Sequence, residues 1–178
     1  MKTIAKFKSL LVLTVSLFFG MATHAQTTTT DENYDQGFRL GFGVNAGYVF
    51  NDPYGFALGG DARIQYDFSK RTSVTLTTGF TNLFISDEIK DLGFIPLKAG
   101  FKGFIWDDQV YLLGEVGAAF AVTNGYDKTS LLLSPGIGYA TKNLDFSVRY
   151  EYYGDFVDET GDKGIGQIAL RVAYGFKL

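Results

Sequence analysis

The stretch QIALRVAYGFKL, residues 167–178, alternates between apolar side chains and polar or small ones. Successive side chains of a β-strand point to opposite sides, so its apolar residues share one face and Arg171 and Lys177 share the other. The run is long, and Tyr174 and Phe176 lie near its end. It predicts a two-faced strand of the kind that crosses a bilayer, which requires further strands to complete a closed barrel.

The first 25 residues are predicted to be an export signal. Three lysines precede an apolar run, residues 9–22, that is too short for a spanning helix of about 20 residues. Cleavage is expected between Ala25 and Gln26. A retained membrane anchor is the alternative, and the polar residues that follow at once disfavour it. The polar, aperiodic residues 26–36 predict a flexible segment.

Composition limits the classes of function. The chain has 178 residues, which suits one domain, and its mean hydropathy of +0.06 is too low for a helical membrane protein. It has no cysteine, and its single histidine, His24, lies in the predicted signal, so no disulfide or thiolate metal site is expected. Loss of the signal leaves 13 of the 16 basic residues against 19 acidic ones, a net charge near -6. Such a chain offers no basic surface for nucleic acid, and no cofactor is predicted.

Eight alternating runs fill residues 37–178, the predicted barrel domain, and each is roughly ten residues long, as tilted membrane-spanning strands require. Residues 51–55 predict the first turn. The connections after the second, fourth and sixth runs are short, whereas those after the third, fifth and seventh are longer and more acidic. Outer-membrane barrels show this asymmetry, with short periplasmic turns and longer external loops. Pro135 fits its predicted strand poorly because it cannot donate to a ladder.

The charged residues of the runs collect on the faces opposite the bulky apolar ones. Eight strands enclose just enough room for side chains, so the bulky faces are expected to look outward, toward lipid. The sequence therefore predicts an all-β, eight-stranded antiparallel up-and-down transmembrane barrel, closed by its first and last strands. The predicted interior charge network consists of Arg39, Asp61, Arg63, Lys98, Lys102, Glu115, Asp145, Arg149, Glu151 and Arg171.

Aromatic residues cluster near the strand ends, as the aromatic girdles of membrane barrels do. The predicted periplasmic girdle is Phe38, Tyr66, Phe68, Trp106, Tyr111, Tyr139, Tyr174 and Phe176. The predicted external girdle is Phe50, Phe56, Phe80, Phe84, Phe94, Phe120 and Tyr152.

Several glycine-rich strands carry a resemblance to a known group. They are LGFGVNAGYVF (40–50), YLLGEVGAAFA (111–121), SPGIGYA (134–140) and RVAYGFKL (171–178). The chain resembles the small eight-stranded outer-membrane barrels of the OmpX and OmpA type, and most of all the outer-membrane β-barrel domain proteins of Bacteroidetes.

The resemblance implies a monomer in the bacterial outer membrane, in contact with outer-membrane lipid and lipopolysaccharide. It also implies that the barrel-assembly machinery reads the end of the chain, Tyr174, Phe176 and Leu178. Such barrels often end in an aromatic residue, and this chain ends in leucine. No peptidoglycan-binding domain is expected after the barrel.

Four functions remain open. The preferred one is a non-enzymatic barrel with a salt-bridged interior and a structural or surface-interaction role in adhesion or envelope integrity. In it, Arg63, Arg149 and Arg171 pair with the inward carboxylates, because an isolated buried ion is costly. The alternatives are a narrow pore for small solutes or ions, a soluble lipocalin-like carrier, and an outer-membrane lipid-modifying enzyme or protease. Enzymes of the last kind generally use a histidine, which the mature chain lacks. The acidic loop 154–163 lacks calcium-site spacing.

Overall fold

The computed structural model describes residues 36–50, 54–85, 91–106, 109–123, 129–154 and 164–178. The predicted signal with its cleavage site, Ala25 and Gln26, lies outside these residues, as do most of the long connections. In the described part, no helix is long and apolar enough to cross a membrane.

Eight antiparallel strands form one closed barrel in sequence order, as the alternating runs predict. The strands are β1 (Gly37–Val49), β2 (Tyr54–Ser69), β3 (Thr72–Ile85), β4 (Leu92–Trp106), β5 (Val110–Ala121), β6 (Thr129–Ala140), β7 (Leu144–Tyr153) and β8 (Ile165–Lys177). The connections after β2, β4 and β6 define the tight-turn end of the barrel. The other connections and the start of β8 define the loop end.

The first and last strands close the barrel, which confirms that prediction. β1 and β8 pair from Arg39↔Lys177 to Val49↔Gln167 without a register shift. A closed sheet has no free strand edge whose backbone N–H and C=O groups would need hydrogen bonds from water. It can therefore lie in the hydrocarbon of a membrane.

The predicted first turn was too long. Tyr54 and Gly55 belong to β2, and Tyr54 pairs with Ile85 of β3. A turn signal built on Pro53 marks where a strand cannot continue, but it does not prevent the next residue from starting a ladder.

The two prolines within strands each coincide with a gap in a ladder. The β3–β4 ladder is interrupted around Pro96, and the β6–β7 ladder is interrupted between Leu133 and Gly136, around Pro135. Proline has no N–H to donate, so the barrel keeps its register across these positions without a complete set of bonds.

The outer wall is apolar, as predicted. Large hydrophobic side chains are exposed on every strand, for example Val44 with 67 % of its surface and Leu170 with 57 %. Phe38 contacts Tyr66 at the tight-turn end, with ring centroids 4.8 Å apart, and Phe56 stacks on Phe84 at the loop end, at 6.4 Å. Exposed apolar area on this scale marks a surface that another apolar phase covers.

The side chain of Trp106, one of the predicted girdle residues, lies outside the described part of the structure. Of the girdle residues with described side chains, two lie inside the barrel instead. Phe94 and Tyr111 are both fully buried, because each alternates with an outward neighbour, Ile95 and Leu112 respectively. Phe94 stacks edge-on against the inward ring of Tyr153, with centroids 4.9 Å apart. The period of the strand, rather than closeness to its end, determines where an aromatic side chain points.

The interior has an apolar layer at the loop end, which the sequence analysis missed. Inward residues from all eight strands form it: Val49, Ala57, Leu83, Leu92, Phe94, Ala119, Leu132, Tyr153 and Ile165. This layer closes over the polar interior from the side of the long connections.

Candidate functional site

The charged interior is the candidate site. The structure places all ten predicted network residues on the inward face. Most are buried, including Lys98 with 3 % and Arg149 with 2 % of their surface exposed. The side chain of Arg39, near the tight-turn end, is 38 % exposed.

Glu115 on β5 is the centre of one cluster. It accepts from Arg63 Nη2 at 2.9 Å, and its other oxygen lies 3.1 Å from Lys98 Nζ and 3.5 Å from Arg149 Nη1. Thr77 also donates to it, at 3.0 Å. Three cations around one carboxylate would repel one another, so a second carboxylate is needed close by.

Glu151 on β7 is that second carboxylate. It lies 2.9 Å from Lys98 Nζ and 3.5 Å from Arg149 Nη2, so both cations are shared between the two glutamates. Its second oxygen accepts from Tyr153 and from Gln167, each at 2.6 Å. Every charge in this cluster has a counter-charge, which offsets much of the cost of burying it. Arg63 Nη1 is buried and has no hydrogen-bond partner in the described residues.

A second cluster lies nearer the tight-turn end. Arg171 on β8 binds Asp61 through two nitrogens and lies 3.4 Å from Asp145. Asp145 also accepts from Lys102 at 2.6 Å and from the hydroxyl of Tyr111 at 2.7 Å. Lys102 in turn lies 4.2 Å above the Tyr111 ring centroid, a cation–π contact.

Arg39 belongs to a third, smaller group. Its Nε donates to Asp67 at 2.7 Å, and Asp67 also accepts from Gln65 and Ser73, each at 2.6 Å. This group lies where the interior opens at the tight-turn end, so its charges are less buried than those of Glu115 and Glu151.

The sequence analysis left out of the network several neutral residues that join its clusters. Asn45 on β1 is the clearest case, because it accepts from Arg149 at 2.5 Å and donates to Asp61 at 2.8 Å. It thereby links the Glu151 cluster to the Arg171 cluster. The sequence shows that Asn45 has an amide side chain, and the alternation of β1 places that side chain inward. The partners were not, since they depend on the register around the barrel.

Inward glycines provide the space for these long side chains. A Cβ on Gly100 would lie 2.6 Å from Glu115 Cγ, and one on Gly136 would lie 2.8 Å from Arg149 Cγ. A Cβ on Gly138 would overlap the Tyr111 ring. These three inward glycines therefore leave room for Glu115, Arg149 and Tyr111.

Little free space remains in the centre of the network. Asn45, Lys98, Arg149, Glu151 and Gln167 are among the residues that line a cavity of about 10 Å³, room for roughly one water molecule. Arg149 Nε and Gln167 Oε1 are buried and have no hydrogen-bond partner in the described residues. Among the described residues no group of His, Cys, Asp or Glu has an arrangement that could hold a metal ion.

The chain was compared with known proteins. No family model and no curated protein sequence matches it. Solved structures do match. Ail, the attachment invasion locus protein of Yersinia pestis, crystallised with the heparin analogue sucrose octasulfate, is 20 % identical with a TM-score of 0.54. The match covers 80 % of this chain and all of Ail.

Two further matches have the same architecture. The N-terminal β-barrel domain of Pseudomonas aeruginosa OprF is 14 % identical with a TM-score of 0.54, and the match covers 80 % of this chain and 100 % of that domain. A de novo designed transmembrane β-barrel is 15 % identical with a TM-score of 0.51, covering 80 % and 98 %. The fold is that of the small outer-membrane barrels.

The matches confirm the predicted fold. They also support the predicted outer-membrane location, since the natural proteins among them are outer-membrane barrels. Sequence identities this low establish architecture, so the Bacteroidetes assignment stays a prediction. The predicted assembly end lies at the tight-turn end, where Tyr174 and Phe176 are half-buried and Leu178 is 70 % exposed. Its recognition by an assembly machinery also stays a prediction.

Proposed function

We propose that this protein is a non-enzymatic, non-conducting outer-membrane barrel whose paired interior charges stabilise a closed wall and whose long connections meet partners outside the cell. The observation that supports the first part is the sharing of Lys98 and Arg149 between Glu115 and Glu151. These side chains cross the lumen and fill it, with space for about one water beside them. An ion would have to displace them and break buried pairs.

Planar-bilayer conductance of the mature chain tests this closure. The wild-type protein should leave the bilayer at its baseline current. A Lys98→Ala/Glu151→Ala variant removes one cation and one anion, so the net interior charge is unchanged while the lumen widens. It should give small steady currents. The matched control is Tyr150→Ala on the outer wall, which should not conduct.

Steady stepwise currents from the wild-type protein would instead favour the narrow pore. Folding of each variant is checked by gel mobility before and after boiling, because a folded membrane barrel migrates differently from its unfolded form. Conductance is compared only among variants that pass this check.

The sequence of the long connections supports a surface role. The connection after β7 contains Asp155, Asp158, Glu159 and Asp162 against one lysine, Lys163. Ail binds a heparin analogue in its crystal, but this acidic connection would repel a sulfated saccharide. We therefore propose a partner that is not a polyanion.

Replacement of residues 155–163 by a glycine–serine segment of equal length tests the surface role. Cells carrying this variant should keep the barrel in the outer membrane and lose adhesion. Unchanged adhesion would contradict a role for this connection. If deletion of the whole protein made the cells sensitive to detergent while the replacement did not, the role would lie in envelope integrity.

A further inference from the structure

Exposed cations gather at the tight-turn end. Lys70 and Arg71 lie on the β2–β3 turn, Lys142 lies on the β6–β7 turn, and Lys177 ends β8, all with exposed side chains.

These cations occupy three of the four parts of the rim. β7 pairs with β8, β8 with β1 and β1 with β2, so the β6–β7 turn, the end of β8 and the β2–β3 turn follow one another around the barrel. The fourth part of the rim is the connection between β4 and β5, where the sequence has Asp107 and Asp108. The rim therefore has a basic arc, formed by Lys70, Arg71, Lys142 and Lys177, and an acidic connection across from it.

Hydrogen bonds fix the backbone of the arc. Asn143 Nδ2 donates to the Gly175 carbonyl at 3.1 Å, and Gly175 N–H donates to the Asn143 carbonyl at 2.7 Å. Arg39 Nη1 donates to the carbonyl of Lys142 at 3.3 Å, which ties the β6–β7 turn to β1. On the other turn, Arg71 N–H donates to Ser69 Oγ at 3.1 Å.

The arc lies at the depth of lipid headgroups. Lys70 follows the exposed Phe68 by two residues, and Lys142 follows the exposed Tyr139 by three. A strand rises about 3.3 Å per residue, so each cation lies within roughly 10 Å of a ring that belongs at the membrane interface. Lysine and arginine at that depth extend their charged ends to the headgroup layer.

We propose that the basic arc binds the phosphate groups of anionic phospholipids in the leaflet that surrounds the tight turns. The inference rests on membrane insertion of the barrel. A Lys or Arg near an anionic membrane surface contributes about 1 kcal/mol, and a fixed group of them should enrich anionic lipid around the arc. Zwitterionic headgroups lack the net charge that the arc would neutralise.

Tryptophan quenching by brominated lipids tests the proposal on the mature chain. The protein has one tryptophan, Trp106, which ends β4 beside the acidic connection. A Trp106→Phe/Phe68→Trp variant moves the reporter to the basic arc, two residues before Lys70. This variant is refolded into phosphatidylcholine vesicles that contain brominated phosphatidylglycerol or, at the same fraction, brominated phosphatidylcholine.

The reporter on the arc should show about a fivefold preference for phosphatidylglycerol at low salt. Lys70→Gln/Arg71→Gln/Lys142→Gln should remove the preference. The control Lys90→Gln/Lys128→Gln/Lys163→Gln lowers the net charge equally but in the long connections, and should keep it.

Equal quenching of the arc reporter by both lipids would overturn the proposal, as would equal losses in the two triple variants. Quenching by brominated phosphatidylcholine shows by itself that the barrel has inserted. An absence of quenching by either lipid would therefore contradict membrane insertion, which is distinct from a failed lipid preference.

Discussion

Asp61 on β2 and Arg171 on β8 form a bidentate ion pair inside the barrel, although 110 residues separate them in the chain. Both side chains are nearly fully buried. β1 lies between their strands, and the pair reaches across it over Gly43, where a Cβ would lie 2.9 Å from Arg171 Nε. The pair thus connects three strands around the closure of the barrel.

Removal of one partner should be costly. Asp61→Ala leaves Arg171 with only its 3.4 Å contact to Asp145 as an ion pair, and loss of a buried partner typically costs about 3–5 kcal/mol. The free energy of unfolding, measured by urea titration of the barrel in lipid vesicles, should fall by that amount. The double variant Asp61→Leu/Arg171→Met should recover most of it, because it leaves no unpaired charge. A loss below about 1 kcal/mol in the single variant would contradict a structural role for the pair.

The face of each network residue could be predicted from the sequence, whereas its partners could not. Period-two alternation alone placed Arg171 and Asp61 inside. Their pairing depends on the register of β1 against both neighbours, which no local pattern encodes. The apolar layer at the loop end was not predicted, and the reason is different. Leu83 and Leu92 flank a long connection, and there the alternation fades into runs such as NLFI (82–85), where inward and outward positions are both apolar.

Gly138 should not accept a side chain. A Cβ at this position would overlap the ring of Tyr111, whose hydroxyl is bound to Asp145. Gly138→Ala should therefore lower the free energy of unfolding by about 1–3 kcal/mol, the usual cost of overpacking. Tyr111→Leu should relieve the overlap. Gly138→Ala should therefore lower the free energy of unfolding less in a Tyr111→Leu background than in the wild-type protein.

Gly114 provides the matched control for the same substitution. It lies on a strand as Gly138 does, but a Cβ there would have no atom within 4 Å. Gly114→Ala should leave urea unfolding unchanged or raise the midpoint slightly, because alanine restricts the unfolded chain more than glycine does. Equal losses in the two variants would show that the space around Tyr111 is not the cause.

The stability cost of a charged substitution on the outer wall should depend on its depth in the bilayer. Val172 lies in the middle of β8 with its side chain exposed, and Leu178 lies just beyond the end of that strand. Arginine facing lipid costs about 2–4 kcal/mol at the midplane and about 0–1 kcal/mol near the interface. Val172→Arg should therefore destabilise the barrel in vesicles far more than Leu178→Arg, measured by urea titration. Similar losses would show that β8 does not cross the bilayer in this position.

The closing seam can be tested by cross-linking. Gly41 on β1 lies opposite Gly175 on β8, and the bond from Leu178 N–H to the Phe38 carbonyl places Gly41 and Gly175 in a non-hydrogen-bonded pair, where Cα atoms are about 4.5 Å apart. The chain has no cysteine of its own. Gly41→Cys/Gly175→Cys should form a disulfide on mild oxidation of the folded protein, seen as faster migration after boiling without reductant.

In Gly41→Cys/Ala173→Cys the two positions are offset by two residues, too far for efficient closure. Faster cross-linking of that offset pair would show that the register differs.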